Sequence, residues 1–172
     1  MKTNRPQKLT INIRYPSWAT AGASVKINGK KFRVKRNPGS YIALERTWKN
    51  GDKIEIDFPM VLKVNPSENP DIVSISYGPI VLAAKMGTEG IQQPVPFSNP
   101  KLHNDYYTYD YHVPSTLSNM LNVKGKPVEE WLNPVAGQPL TFKTINVADK
   151  DFIFVPLFNL HRERYVVYWN LK

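Results

Sequence analysis

Chemistry-bearing side chains concentrate in one short stretch, residues 103–114, which reads HNDYYTYDYHVP. Asp105 and Asp110 are the acids a glycosidase would need, yet hydrolysis requires two carboxyls facing each other across a sugar, ~5–5.5 Å or ~6.5–9.5 Å apart by mechanism. Two aspartates in a turn-rich stretch do not establish such a pair, and solvated loop acids are the simpler reading. His103, Asp105, Asp110 and His112 are plausible metal ligands by type, but their spacing matches no recognised site. Nucleophilic catalysis needs a Ser, Cys or Thr beside an oriented base. The histidines are His103, His112 and His161, and no G-x-S-x-G elbow accompanies them. What stands out is the row of rings. Tyr106, Tyr107, Tyr109 and Tyr111, with His112, are the candidates for a carbohydrate platform or a protein interface, because exposed rings serve both. Interface or core ranks above sugar platform.

Composition limits the alternatives. The chain has 172 residues and no cysteine, which removes disulfides, thiolate metal sites and cysteine nucleophiles together. Fifteen prolines, nine glycines and 12% aromatic residues favour many short strands with frequent turns over long helices. No run approaches the roughly 20 apolar residues that span a bilayer, so no membrane partner is expected, and no cofactor is called for. The amino terminus lacks an apolar signal core and enters a strand almost at once, as if Met1 were a fragment boundary. The net charge of +9 invites a nucleic-acid reading. Its densest cluster is Lys30, Lys31, Arg33, Lys35 and Arg36. In Lys31-Phe32-Arg33-Val34-Lys35, however, charge alternates with apolar residues, as on the wet face of a strand. With no zinc finger, helix-turn-helix or RNP-like pattern, nucleic acid is not an expected partner.

The elements that must position these groups read as strands. Leu9, Ile11 and Ile13 alternate with polar residues, and Val25 and Ile27 lead into Asn28-Gly29, a strong hairpin signal. Residues 39–60 read as two strands around the turn Asn50-Gly51-Asp52, with Ile42 and Leu44 alternating before it and Ile54, Ile56 and Phe58 after it. Residues 72–77 and 80–84 flank Gly78-Pro79, and the second run, apolar on both faces, predicts a central strand. Beyond Met86 the texture becomes turn-rich. Residues 117–121 predict a helical turn, 128–132 a strand or short helix, and 140–147 and 152–157 strands. Residues 164–171 alternate as one closing strand. Trp18, Trp48, Trp131 and Trp169 are expected in the core.

Five stretches in order carry a resemblance. They are Ile13-Arg14-Tyr15-Pro16-Ser17-Trp18-Ala19, then Val25-Lys26-Ile27-Asn28-Gly29, then Gly39-Ser40-Tyr41-Ile42 through Trp48, Gly51-Asp52 and Pro59-Met60. Tyr77-Gly78-Pro79-Ile80-Val81-Leu82-Ala83 and the closing run from His161 to Trp169 complete the set. Together they resemble the C-terminal region of glycoside hydrolase family 127, also catalogued as DUF1680. The family implies β-L-arabinofuranosidase activity on plant glycans, in mostly bacterial enzymes. It also implies an upstream (α/α)6 barrel with a cysteine nucleophile near a cysteine- and glutamate-bound zinc. None of that chemistry transfers to a chain without cysteine.

The resemblance therefore implies an all-β, antiparallel, jelly-roll-like β-sandwich without catalytic residues of its own, belonging to a periplasmic or secreted enzyme. A smaller β-rich unit would be inserted before the last strand: residues 1–86 completed by 160–172 form the sandwich, and 87–159 the insertion. The implied partner is the catalytic barrel of the parent polypeptide, with a homodimer interface or bound carbohydrate as further candidates. The alternative is a carbohydrate-binding module using the aromatic loop at residues 103–114.

Overall fold

The computed structural model describes residues 1–89, 119–161 and 163–172. The chain is all-β in character, and its described strands are β1 (Gln7–Arg14), β2 (Ser24–Ile27), β3 (Lys30–Phe32), β4 (Tyr41–Trp48), β5 (Ile54–Asp57), β6 (Leu62–Pro66), β7 (Ile72–Tyr77), β8 (Ile80–Lys85), β9 (Met120–Leu121), β10 (Leu132–Pro134), β11 (Phe142–Thr144), β12 (Ile153–Pro156), β13 (Tyr165–Val166) and β14 (Trp169–Leu171). One short helix, α1 (Val128–Trp131), precedes β10. The chain divides into two compact units, residues 1–61 with 77–79, and residues 62–76 with 80–172.

The first unit has two sheets around one core. β1 pairs antiparallel with β4 along its whole length, setting Ile11 opposite Leu44 and Ile13 opposite Ile42. β2 pairs with β3 and β5, setting Val25 opposite both Phe32 and Ile56. Period-2 alternation sends one face of each strand inward, and the core gathers Tyr15, Ala19, Val25, Ile42, Leu44 and Trp48. Trp18 is half-buried against this core, edge-on to Phe58 with ring centroids 6.2 Å apart.

The turns follow their residue types. Asn28 and Gly29 both take positive φ, 52° and 76°, as the two central positions of a type I′ hairpin require. Residues 39–60, by contrast, do not fold as a hairpin. β4 joins β1 and β5 joins β2, so the turn carries the chain from one sheet to the other. Alternation shows that two strands flank a turn, but it carries no information about which strands they pair with.

Among the described residues, the second unit is built on a nine-stranded sheet with the path β10-β11-β12-β8-β7-β14-β9, to which β13 adds on β8 and β6 on β7. β8 lies between β12 and β7, and Leu82, Ala83 and Ala84 are all fully buried, as a central strand covered on both faces should be. Beside it lies an aromatic cluster in which Trp169 meets Phe152 and Phe154 at centroid distances of 5.1 and 5.4 Å.

Three stretches depart from the expected elements. Residues 120–121 form strand β9 in place of a helical turn and run parallel to β14. Residues 128–132 are helical to Trp131 and extended from Leu132. The closing run splits into two strands because it changes partner: Tyr165 and Val166 pair with β8, whereas Trp169 and Asn170 pair with β7. The expected grouping set residues 1–86 with 160–172. In the structure β13 and β14 do pair with strands before residue 86, and those strands, β7 and β8, share their sheet with β10, β11 and β12. Only the hairpin tip 77–79 groups with the first unit. There Gly78 has φ 56°, and a Cβ on it would lie 2.6 Å from Met60 Cγ.

Candidate functional site

The residues singled out for chemistry, His103, Asp105, Tyr106, Tyr107, Tyr109, Asp110, Tyr111 and His112, lie outside the described residues. His161 is described and exposed. Among the described residues no three His, Asp or Glu side chains gather as a metal would need. Two other features of the first unit hold its charged chemistry.

The first is the turn that switches sheets. Asp52 is a buried carboxylate, and its oxygens are satisfied by the geometry of two adjacent turns. Lys49 N–H donates to Asp52 Oδ2 at 2.8 Å, and Asn28 Nδ2 donates to Oδ1 at 2.8 Å. The guanidinium of Arg46 stands 3.7 Å away and lies over the Trp48 ring, 5.1 Å from its centroid. Asn28 Oδ1 in turn accepts from the Lys53 N–H at 2.8 Å. The backbone hydrogen bond from Lys49, then that from Asn28, hold the Asp52 carboxyl below its ordinary 3.8, against a smaller opposing effect of burial; Arg46 adds to the lowering. Each oxygen is already engaged by the protein, so this group is a clasp between turns.

The second is an open groove of about 580 Å³ lined by Phe32, Arg33, Lys35, Arg36, Ile42 and Ala43, within the ~300–1,000 Å³ usual for ligand sites. Alternation predicts a strand over residues 31–35, but β3 ends at Phe32. Arg33, Lys35 and Arg36 therefore sit on an exposed connection beside β4. On the outer face of the same sheet Arg14 opposes Tyr41, its guanidinium 5.3 Å from the ring centroid, with Tyr41 54% exposed. The cations are visible in the sequence, but their position beside Ile42 and Ala43 depends on β4 and is not. A signal was nonetheless present, since the first acidic residue of the chain is Glu45.

In the second unit an apolar cleft of about 630 Å³ runs between β6 and residues 123–129, lined by Leu62, Val64, Val123, Val128 and Leu171 among others. Its lining also includes Lys63, Lys126, Glu129 and Lys172.

The fold and these surfaces define a class: a tandem of two β-rich units. Residues 1–60 match the family model described as "Beta-L-arabinofuranosidase, GH127 middle domain". Residues 64–171, more than half the chain, match DUF4986, a domain of unknown function, and the chain belongs to that family. With the two models side by side, it is a non-barrel region of the glycoside hydrolase family 127 type. The gap between the models, residues 61–63, falls where the units divide. No curated protein matches the chain.

Solved structures agree in fold. Ara127N, a GH127 β-L-arabinofuranosidase from Geobacillus stearothermophilus T6, aligns with a TM-score of 0.57 at 18% identity over 99% of this chain and 28% of its own. The GH127 β-arabinofuranosidase BT3674 aligns with 0.56 at 18% identity, over 99% of this chain and 29% of its own. A third glycoside hydrolase aligns with 0.54 at 14% identity, over 95% and 28%. At such identities the likeness is one of fold, and the chain spans little more than a quarter of those enzymes.

Proposed function

We propose that the chain is a non-catalytic accessory region of a β-L-arabinofuranosidase-type enzyme that degrades plant glycans, buttressing the catalytic barrel of its parent polypeptide or forming an oligomer interface. The observation that carries this reading is the extent of the match. Nearly all of this chain aligns with 28% of a GH127 enzyme, and its first sixty residues match that family's middle domain. A fold alone does not specify chemistry, so the claim is tested on activity. The pure chain, incubated with nitrophenyl β-L-arabinofuranoside, is expected to release no nitrophenol above blank. Turnover that survives repurification would overturn the accessory reading. Its removal from a polypeptide that carries the barrel is expected to lower the barrel's unfolding temperature.

A second reading has one observation in its favour, the row Tyr106, Tyr107, Tyr109 and Tyr111 with His112. A carbohydrate-binding module using that row would bind arabinan oligosaccharides, and titration without binding at millimolar sugar removes it.

A further inference from the structure

The net charge of this chain is not spread over it. Residues 1–61 with 77–79 contain 13 Lys/Arg against 4 Asp/Glu, a net of +9, and the remaining residues contain 10 of each, a net of zero. The first unit thus carries the whole imbalance. Two of its acids are paired with cations other than those of the groove, Asp52 with Arg46 and Glu55 with Lys53, which leaves the net charge unchanged. The first 44 residues hold ten basic residues and no acidic one. A field of one sign over one unit attracts ligands of the other sign, and a concave surface concentrates it.

One concave place within that field is the groove lined by Arg33, Lys35 and Arg36 with Phe32, Ile42 and Ala43. None of those three cations forms an ion pair with a described residue, so their donors are turned to solvent. Edge strands often carry lysines simply to discourage edge pairing. That accounts for Lys30 and Lys31 on the edge strand β3, but not for Arg33, Lys35 and Arg36, which lie beyond its end.

We infer that this groove binds an anionic polysaccharide, a chain of sugars bearing carboxylates, with Arg33 and Arg36 as bidentate partners of carboxylates and Lys35 as a point charge between them. Guanidinium forks match carboxylate geometry. A nucleic acid would also meet the charge, but single strands need free rings on which bases stack. Phe32 is half-buried, and one face of the exposed Tyr41 ring is already taken by Arg14. The choice of a polysaccharide over other polyanions rests on the glycan-enzyme reading above, whereas the charge argument does not.

The test uses the whole chain and tetragalacturonate, with its carboxyl-reduced neutral form as the paired probe, titrated by calorimetry at about 20 and about 200 mM salt. Binding of the acidic tetramer is expected, weakened about tenfold by the added salt, with none for the neutral form. Arg33→Ser, Lys35→Ser and Arg36→Ser combined should abolish it while the unfolding midpoint stays unchanged. Lys63→Ser, Lys126→Ser and Lys172→Ser, which remove the same charge from the second unit, should leave it intact. The inference is overturned by no binding at low salt, by equal binding of the neutral form, by equal loss in both triple variants, or by tighter binding of a DNA 12-mer. None of these outcomes alters the arabinofuranoside assay, so failure here and failure of the accessory reading are separable.

Discussion

The two units solve the same problem, burying apolar faces of short strands, by different means. The first divides five strands between two sheets, with one core between them, and carries all of the net charge. The second, among the described residues, spreads nine strands through one sheet, has no net charge, and fully buries Trp131, Phe154 and Trp169. In the first, a tight turn joins β2 to β3 and a polar clasp ties two turns together. In the second, β14 is brought beside β7 across some ninety residues of chain, so stability rests on long-range pairing, which is slow to form.

The sharpest way to break this comparison is to empty each core. Trp48→Ala and Trp169→Ala each delete a fully buried indole and should cost about 3–5 kcal/mol, read by denaturant unfolding. Trp48 also loses its hydrogen bond to the Leu9 carbonyl at 3.1 Å. If the units are cooperative entities, Trp48→Ala lowers one transition and Trp169→Ala the other. A single transition shifted equally by both would merge them.

A smaller effect separates strain from space. Gly78→Ala combines a positive φ with a Cβ driven against Met60 and should cost about 2–3 kcal/mol. Gly51→Ala, at φ 85° with open space around it, carries the backbone term alone, about 1–2 kcal/mol. Equal costs would show that Met60 yields freely; Gly78→Ala with Met60→Ala should then recover nothing.

In the second unit Thr144, fully buried, accepts from the Phe152 N–H through Oγ1 at 2.8 Å. Thr144→Val keeps the shape, leaves that donor without its acceptor, and should cost about 1–2 kcal/mol. An unchanged midpoint would count against the pair.

The smallest effect is titration. Because the folded pKa of Asp52 lies below 3.8, its contribution to stability is present above that value and fades as pH falls through the lower folded pKa. Acid unfolding of Asp52→Asn should therefore be flatter below about pH 4, and less stable than the parent near neutrality. An acid limb as steep as the parent's would assign the clasp no role.

What could be read from the residues and what could not divides along the same line. Asn28-Gly29, Gly78-Pro79 and the alternation of Ile42, Leu44 and Val25 announced turns and inward faces, because positive φ and period-2 burial are local properties. Residues 39–60 were legible as two strands and a turn, yet not as a switch between sheets, since Asp52 reaches Asn28 only when β2 is already in place. The aromatic row at residues 103–114 drew attention by residue type, and the groove at Arg33, Lys35 and Arg36 looked like an ordinary strand face until β3 ended at Phe32.

By itself the sequence determined that the chain is all-β, where it turns and which faces are apolar, and it carried the resemblance to family 127. Only the tertiary structure decided which strand pairs with which, that the closing run changes partner at Trp169, that β7 and β8 belong with the second unit's sheet, and that Arg33, Lys35 and Arg36 stand beside β4. The reason is physical. Backbone dihedrals and side-chain alternation are fixed within a few residues, whereas sheet partners are groups far apart in the chain, brought together only by folding.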